Sequence, residues 1–263
     1  MLSHVEEDLE RGWRLSVCVA AGEAGGSLIT SRRFPRMKPD PEEAEDGEGS
    51  PGPAGLLTDP AVVAETATKR AKGQVRRFCA ANQLNRLGTL TYAGEGCHDE
   101  QHLRDDVAAF WRALRQAKGG EAFPYLWVPE WHPKGHGLHV HFAVGQFVAR
   151  SKIEAAWGWG FVHIKLLGDL PVGSGPLQEA RVAAGYLSKY LNKSLDERRM
   201  ERLHRYEVAQ GFQPTKTPVT GRTLQQAIGN ASELMGGHQP SQLWESGQVV
   251  DWDRPPAVWM SWD

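Results

Sequence analysis

At 263 residues, 40% of them hydrophobic, the chain is long enough to bury a sizeable core in one large domain or two small ones. No apolar run approaches the roughly 20 residues of a membrane-spanning helix, no cleavable signal pattern opens the chain, and Cys18, Cys79 and Cys97 are too few and too scattered for a disulfide framework or a CxxC metal knuckle. A cytoplasmic protein with reduced thiols and no membrane partner is expected; the formal net charge of -2 is an average that conceals segregation, so local charge is the better guide to partners.

Near the N-terminus, WRLSVCVAAG followed by GSLITSRRF predicts a short hairpin. Residues 39–54, PDPEEAEDGEGSPGPA, hold six acidic residues and no basic one, the composition of a solvated linker. Residues 1–58 therefore read as an N-terminal extension ending in that linker, 59–207 as the main domain, and 208–263 as a C-terminal extension packing on it. From Asp59 to Asn85 a helical pattern takes over, with Asp59 as N-cap and Pro60 at the first helical position. Its later half carries Lys69, Arg70, Lys72, Arg76 and Arg77, with Arg86 just beyond and no acid after Glu65. A charge run is usually a solvated helix face, but six cations without interleaved acids also suit contact with phosphates.

LGTLTYAG, residues 87–94, reads as a strand, and a helix starts near Asp99 because Val107, Phe110, Trp111 and Leu114 recur at helical spacing. FPYLWVPEW, then HPKG, then LHVHFAVG form a hairpin around a Pro and Gly turn. A short helix at 151–157 leads to the strand GFVHIKLL, and residues 178–195 form a helix with Ala183, Leu187 and Leu191 inward. TLQQAIGNASELMGG adds a helix with a Gly stop, and Trp244, Trp252, Trp259 and Trp262 pack the tail. Strands and helices mix without regular parallel crossovers, which predicts an α+β core with an antiparallel sheet.

Alternation puts His139 and His141 on one face of their strand while Leu138, Val140 and Phe142 fill the other. If the hairpin turns around Lys134, cross-strand partners sum to about 269 in number, a count that follows from the antiparallel register, and Glu130 lies opposite His139. Two imidazoles and a carboxylate with open positions suit a divalent ion that also binds a substrate oxygen. Zn, Mn and Mg all fit; His favours the first two, phosphate chemistry the last two. His132 and His136 in the turn are ligands of a rival zinc site, His163 is a reserve ligand, and His98 and His102 read as surface residues.

YLSKYLNK, residues 186–193, contains YxxK twice in tandem, Tyr186 with Lys189 and Tyr190 with Lys193. Positions four apart on a helix share a face, so the tyrosines line up and so do the lysines. Tyrosine is a poor nucleophile at its ordinary pKa of about 10, but a nearby ammonium favours phenolate and a metal ion polarises the phosphate attacked. Phenolate attack keeps the cleaved phosphodiester's energy in a covalent link available for rejoining, so metal plus tyrosine suggests strand transfer rather than hydrolysis.

These residues resemble a known family. HVHFAV is similar to the two-histidine signature of the HUH endonucleases, TLTY (Thr89 to Tyr92) to their first motif, and YLSKYLNK to the two-tyrosine third motif of rolling-circle replication initiators, in the initiators' order. The likeness covers Lys69 to Tyr206. It implies an RRM-like or ferredoxin-like antiparallel sheet with flanking helices and a Mn or Mg ion held by His139, His141 and, less securely, Glu130. It also implies Tyr186 and Tyr190 as first and second nucleophiles, with Lys189 and Lys193 as phosphate or phenolate partners. The implied activity is nicking and rejoining of single-stranded or hairpin origin DNA through a 5′-phosphotyrosine link. No Walker-type GxxxxGK[ST] occurs, so no nucleotide cofactor is expected and a host helicase and polymerase would complete replication. The alternatives are a two-tyrosine transposase of the same chemistry, a non-catalytic single-strand-binding module, and a zinc hydrolase.

Overall fold

The structure is a computed structural model that describes residues 11–30, 60–165, 167, 174–193, 200, 202–252 and 254–263. The acidic linker and the Asp59 cap lie outside these residues. Strands β1 (Arg11–Cys18) and β2 (Glu23–Thr30) are joined through a 3-10 turn at Val19–Ala21. Helix α1 (Pro60–Ala81) leads to β3 (Arg86–Tyr92), α2 (Glu100–Ala117), and the hairpin of β4 (Tyr125–Trp131) and β5 (Leu138–Val144). Then come α3 (Arg150–Trp157), β6 (Gly160–Lys165), α4 (Pro176–Lys193) and the short β7 (Glu207–Val208). Strand β8 (Thr217–Gly221), α5 (Leu224–Leu234), β9 (Gln242–Glu245) and β10 (Ala257–Ser261) close the chain. Among the described residues no helix is long and apolar enough to cross a membrane, and the three cysteines are free and buried.

The α+β class expected from the sequence is what forms, as two antiparallel five-stranded sheets in two compact units. The terminal unit joins residues 1–17, 23–65 and 217–262. Its sheet has the order β8-β1-β2-β10-β9, so the two stretches read from sequence as separate extensions share one sheet. A lone hairpin is marginal in water and leaves two open edges. Here β8 pairs with β1 on one side, and β10 pairs with β2 on the other. Helix α5, capped by the Thr223 hydroxyl accepting from the Gln226 N–H at 3.1 Å, packs Ala227 and Ala231 over Leu15, Val17, Val258 and Met260. The tail tryptophans serve this unit: Trp262 enters its core and Trp259 faces Trp244 across strands.

The central unit takes in residues 66–216. From β3 to β6 it runs strand, helix, strand, strand, helix, strand, and its sheet has the order β6-β3-β5-β4-β7, the ferredoxin-like arrangement with β3 and β5 central. One face is closed by α2 and α3, whose Leu103, Val107, Phe110, Trp111, Ile153 and Trp157 meet Leu90, Trp127, Val140 and Phe142. Gly88 makes room in this layer, because a Cβ there would collide with the Phe142 ring. The Asp99 carboxylate caps α2, accepting from the His102 N–H at 2.7 Å. The opposite face meets α1 and α4, whose Val75, Phe78, Cys79, Ala183, Leu187 and Leu191 pack on Leu87, Leu126, Val128 and Ala143. That second layer stops short of the strand ends where β4 and β5 turn, and the polar residues cluster there.

Candidate active site

The HPKG turn is closed by the His132 N–H donating to the Gly137 carbonyl at 2.8 Å and the Gly135 N–H donating to the His132 carbonyl at 3.0 Å. It fixes the register at Tyr125 with Val144 through Trp131 with Leu138, and so places Glu130 opposite His139, as the count around Lys134 predicts. On the other side of β5, Thr89 of β3 faces His141 and Thr91 faces His139. Each threonine bonds its histidine: Oγ1 of Thr89 lies 3.0 Å from Nδ1 of His141, and Oγ1 of Thr91 lies 3.2 Å from Nδ1 of His139. Both rings are thereby turned with Nε2 away from β3.

The two Nε2 atoms differ. That of His141 donates to Oε2 of Glu130 at 2.6 Å, so the carboxylate engages the diagonal histidine rather than its direct partner. That of His139 is buried and has no hydrogen-bond partner, an unsatisfied group of the kind that calls for an explanation. The His132 ring stacks on His139 at 4.5 Å and 22°, with His136 at 6.2 Å. Burial first, then the neighbouring His132 and His141, pushes the pKa of His139 down to about 4. The imidazole is therefore neutral at physiological pH.

Helix α4 brings the tyrosines over this face. With Ala183, Leu187 and Leu191 inward, Tyr186 and Tyr190 fall on the neighbouring stripe and pack partly buried against the same layer. The Tyr190 ring stacks on His141 at 3.6 Å and 12°. Its hydroxyl donates to the Tyr186 oxygen at 2.6 Å. Burial, followed by that bond, raises the Tyr190 pKa above the ordinary phenol range, so Tyr190 stays protonated. Tyr186 has cations over its ring instead: Nζ of Lys165 at 4.8 Å from the centroid and Nζ of Lys189 at 5.9 Å.

The sequence-predicted residues thus fall into two groups. Glu130, His139, His141, Tyr186, Tyr190 and Lys189 gather in one place. Lys193 ends α4, and its side chain lies outside the described residues. The cations before β3 are spread out: on α1, spacing sets Lys69, Lys72 and Arg76 on one flank and Arg70 and Arg77 on the other. Arg86 starts β3, its guanidinium donating to Oδ1 of Asn85 at 2.6 Å and to the Gly145 carbonyl at 3.4 Å. Sequence reading missed the pairing roles of Thr89 and Thr91 and the cation Lys165. The threonines share the i, i+2 spacing of the histidines, which is the one signal that could have found them.

Among the described residues no cluster of three or more His, Cys, Asp or Glu is already arranged around a metal position. The donor set nevertheless fits a divalent ion: His139 Nε2 is an orphaned ring nitrogen, and Glu130 with His141 supplies a carboxylate and a second imidazole beside it. A threonine hydroxyl donates or accepts equally well, so either Nδ1 can keep its partner when its Nε2 is deprotonated to bind.

Residues 85–195, from β3 through α4, match a family model of replication-associated proteins of the ORF2 type. No curated protein and no solved structure gives a match. The segment that carries the tyrosines and histidines is thus similar to a replication-initiator family, and the match supports a role in starting replication.

Proposed function

We propose that the protein nicks one strand of DNA at a replication origin and holds the cut end covalently on Tyr186, so that rolling-circle synthesis starts from the freed 3′ hydroxyl and the ends are later rejoined. The observation that carries this reading is the pair of phenol oxygens 2.6 Å apart on α4, one ring stacked on His141 of the two-histidine strand. A water-activating hydrolase has no use for such a pair.

In the reaction Tyr186 Oη bonds to phosphorus, the bond from phosphorus to the 3′ oxygen breaks, and the phenolic proton leaves to solvent while the 3′ oxygen takes one up. Tyr190 donates its hydroxyl hydrogen to the attacking oxygen and holds it in line with the histidine face. Lys165 and Lys189 bring positive charge to the side of the ring where a phosphate must arrive. His139, His141 and Glu130 would hold a Mn or Mg ion, which when bound polarises a phosphate oxygen. Thr89 and Thr91 keep the two imidazoles aimed. Rejoining is the reverse displacement, in which a 3′ hydroxyl attacks the phosphotyrosine and restores the phenol.

The test is a denaturing gel of the full chain with a single-stranded oligonucleotide library and Mn. A shifted, DNA-labelled protein band is expected, absent with EDTA and absent when Tyr186 and Tyr190 are both changed to Phe. Intact binding with no such band on any strand overturns the proposal.

A further inference from the structure

Strand β6 is an edge of the central sheet, and its register against β3 carries three residues onto the face that holds the histidines. Phe161 lies opposite Thr91, which faces His139; His163 lies opposite Thr89, which faces His141; Lys165 lies opposite Leu87. All three are exposed. Phe161 stands out, with 68% of its surface in solvent on a strand whose inward residue, Val162, is buried. An open phenyl ring is thus set about 10 Å, two interstrand spacings, from the buried Nε2 of His139. At the other end of the strand, Lys165 sits over the Tyr186 ring.

We propose that β6 is the platform for the single strand being cut: one nucleobase stacks on Phe161 while His163 and Lys165 follow the sugar-phosphate chain towards Tyr186. The inference rests on the nicking reading and extends it to the substrate, requiring unpaired bases beside the scissile phosphate. Single strands are held by aromatic faces for the bases and cations for the phosphates, with little regard for sequence. The β6 face offers both, in a row and continuous with the site. A duplex would keep its base faces stacked inside and leave Phe161 without an occupant. A protein partner would use the ring but has no need of the cations.

Binding is measured apart from chemistry. The full chain carrying Tyr186→Phe and Tyr190→Phe, in EDTA, is titrated by fluorescence anisotropy into labelled oligothymidine of about 20 nucleotides, longer than a site of this kind. The second probe is an abasic strand of the same length. Adding Phe161→Ala weakens oligothymidine binding about 5- to 100-fold, the range of one base stack. Phe161→Trp restores it, and neither change affects the abasic strand. Lys165→Met weakens both strands alike. The platform is overturned by undiminished oligothymidine binding in Phe161→Ala, by equal losses on both strands, or by a change confined to self-association in sedimentation. The nicking reading is scored separately. Covalent adduct in the wild type with no Phe161 effect removes the platform alone, and the base-dependent Phe161 effect without adduct keeps the platform and removes the nuclease.

Discussion

The strand LHVHFAV serves two opposite environments at once. Toward α2 and α3 it presents Leu138, Val140, Phe142 and Val144 to an aromatic layer in which Trp111 stacks on Tyr125 at 3.8 Å and meets the Phe142 ring edge-on at 5.8 Å. Toward α1 and α4 it presents His139 and His141, each bonded at Nδ1 and each close to further polar groups. The difference teaches where positional precision comes from. The polar face has a free ring nitrogen and a pair of phenols that a loose sheet would let drift. The dry face, packed ring against ring, holds the strand still for it.

The comparison breaks most visibly if the dry face is hollowed. Phe142→Ala removes a fully buried ring and is expected to cost about 3–5 kcal/mol of stability, read as a lowered midpoint in guanidinium unfolding. The protein that remains folded keeps its metal affinity, because residue 142 points away from the histidines. A loss under about 1 kcal/mol would mean that the aromatic layer is not what anchors β5; the threshold is that of an ordinary surface change.

Thr91→Val sharpens the comparison from the polar side. The swap keeps the shape and removes the partner of His139 Nδ1, so the imidazole loses its aim. Mn affinity by titration calorimetry is expected to fall 10- to 100-fold, while unfolding shifts by only about 1 kcal/mol. Unchanged Mn affinity would sever the link between the threonine pair and the ion that the donor set suits.

The sequence carried some of this arrangement and not the rest, for physical reasons. Strand alternation and a short turn suffice to set Glu130 across from His139, since a hairpin's register follows from its loop. The tandem YxxK suffices to put two phenols side by side, since a helix repeats nearly every four residues. What cannot be read is pairing between segments far apart in the chain. Thr91 finds His139 across 48 positions, and Lys165 finds Tyr186 only once β6, β3 and α4 have assembled. The terminal unit is the extreme case: β1 and β8 match in register from opposite ends of the sequence. Neither strand carries a local signal that names its partner, because edge satisfaction is a property of the whole sheet. The carboxylate's choice of His141 over the histidine directly opposite also depends on side-chain reach that register does not specify.

The smallest expected effect separates the two tyrosines. Tyr190 is protonated, stacked on His141 and donates to Tyr186, whereas Tyr186 receives that bond and lies under Lys165 and Lys189. Tyr190→Phe keeps the ring and its stack and deletes one hydrogen bond to the attacking oxygen. A single such bond is worth about 0.5–1.5 kcal/mol, so the rate of the first covalent attachment should fall only about 2- to 13-fold, by the usual conversion of barrier to rate. Tyr186→Phe removes the attacking oxygen and should abolish that attachment with no more effect on folding than its partner. A quench series with labelled DNA distinguishes them. If Tyr190→Phe is the variant that abolishes attachment, the order of the nucleophiles is reversed. The stack on His141 would then be the attacking posture, and Tyr186 would be the phenol that receives the proton.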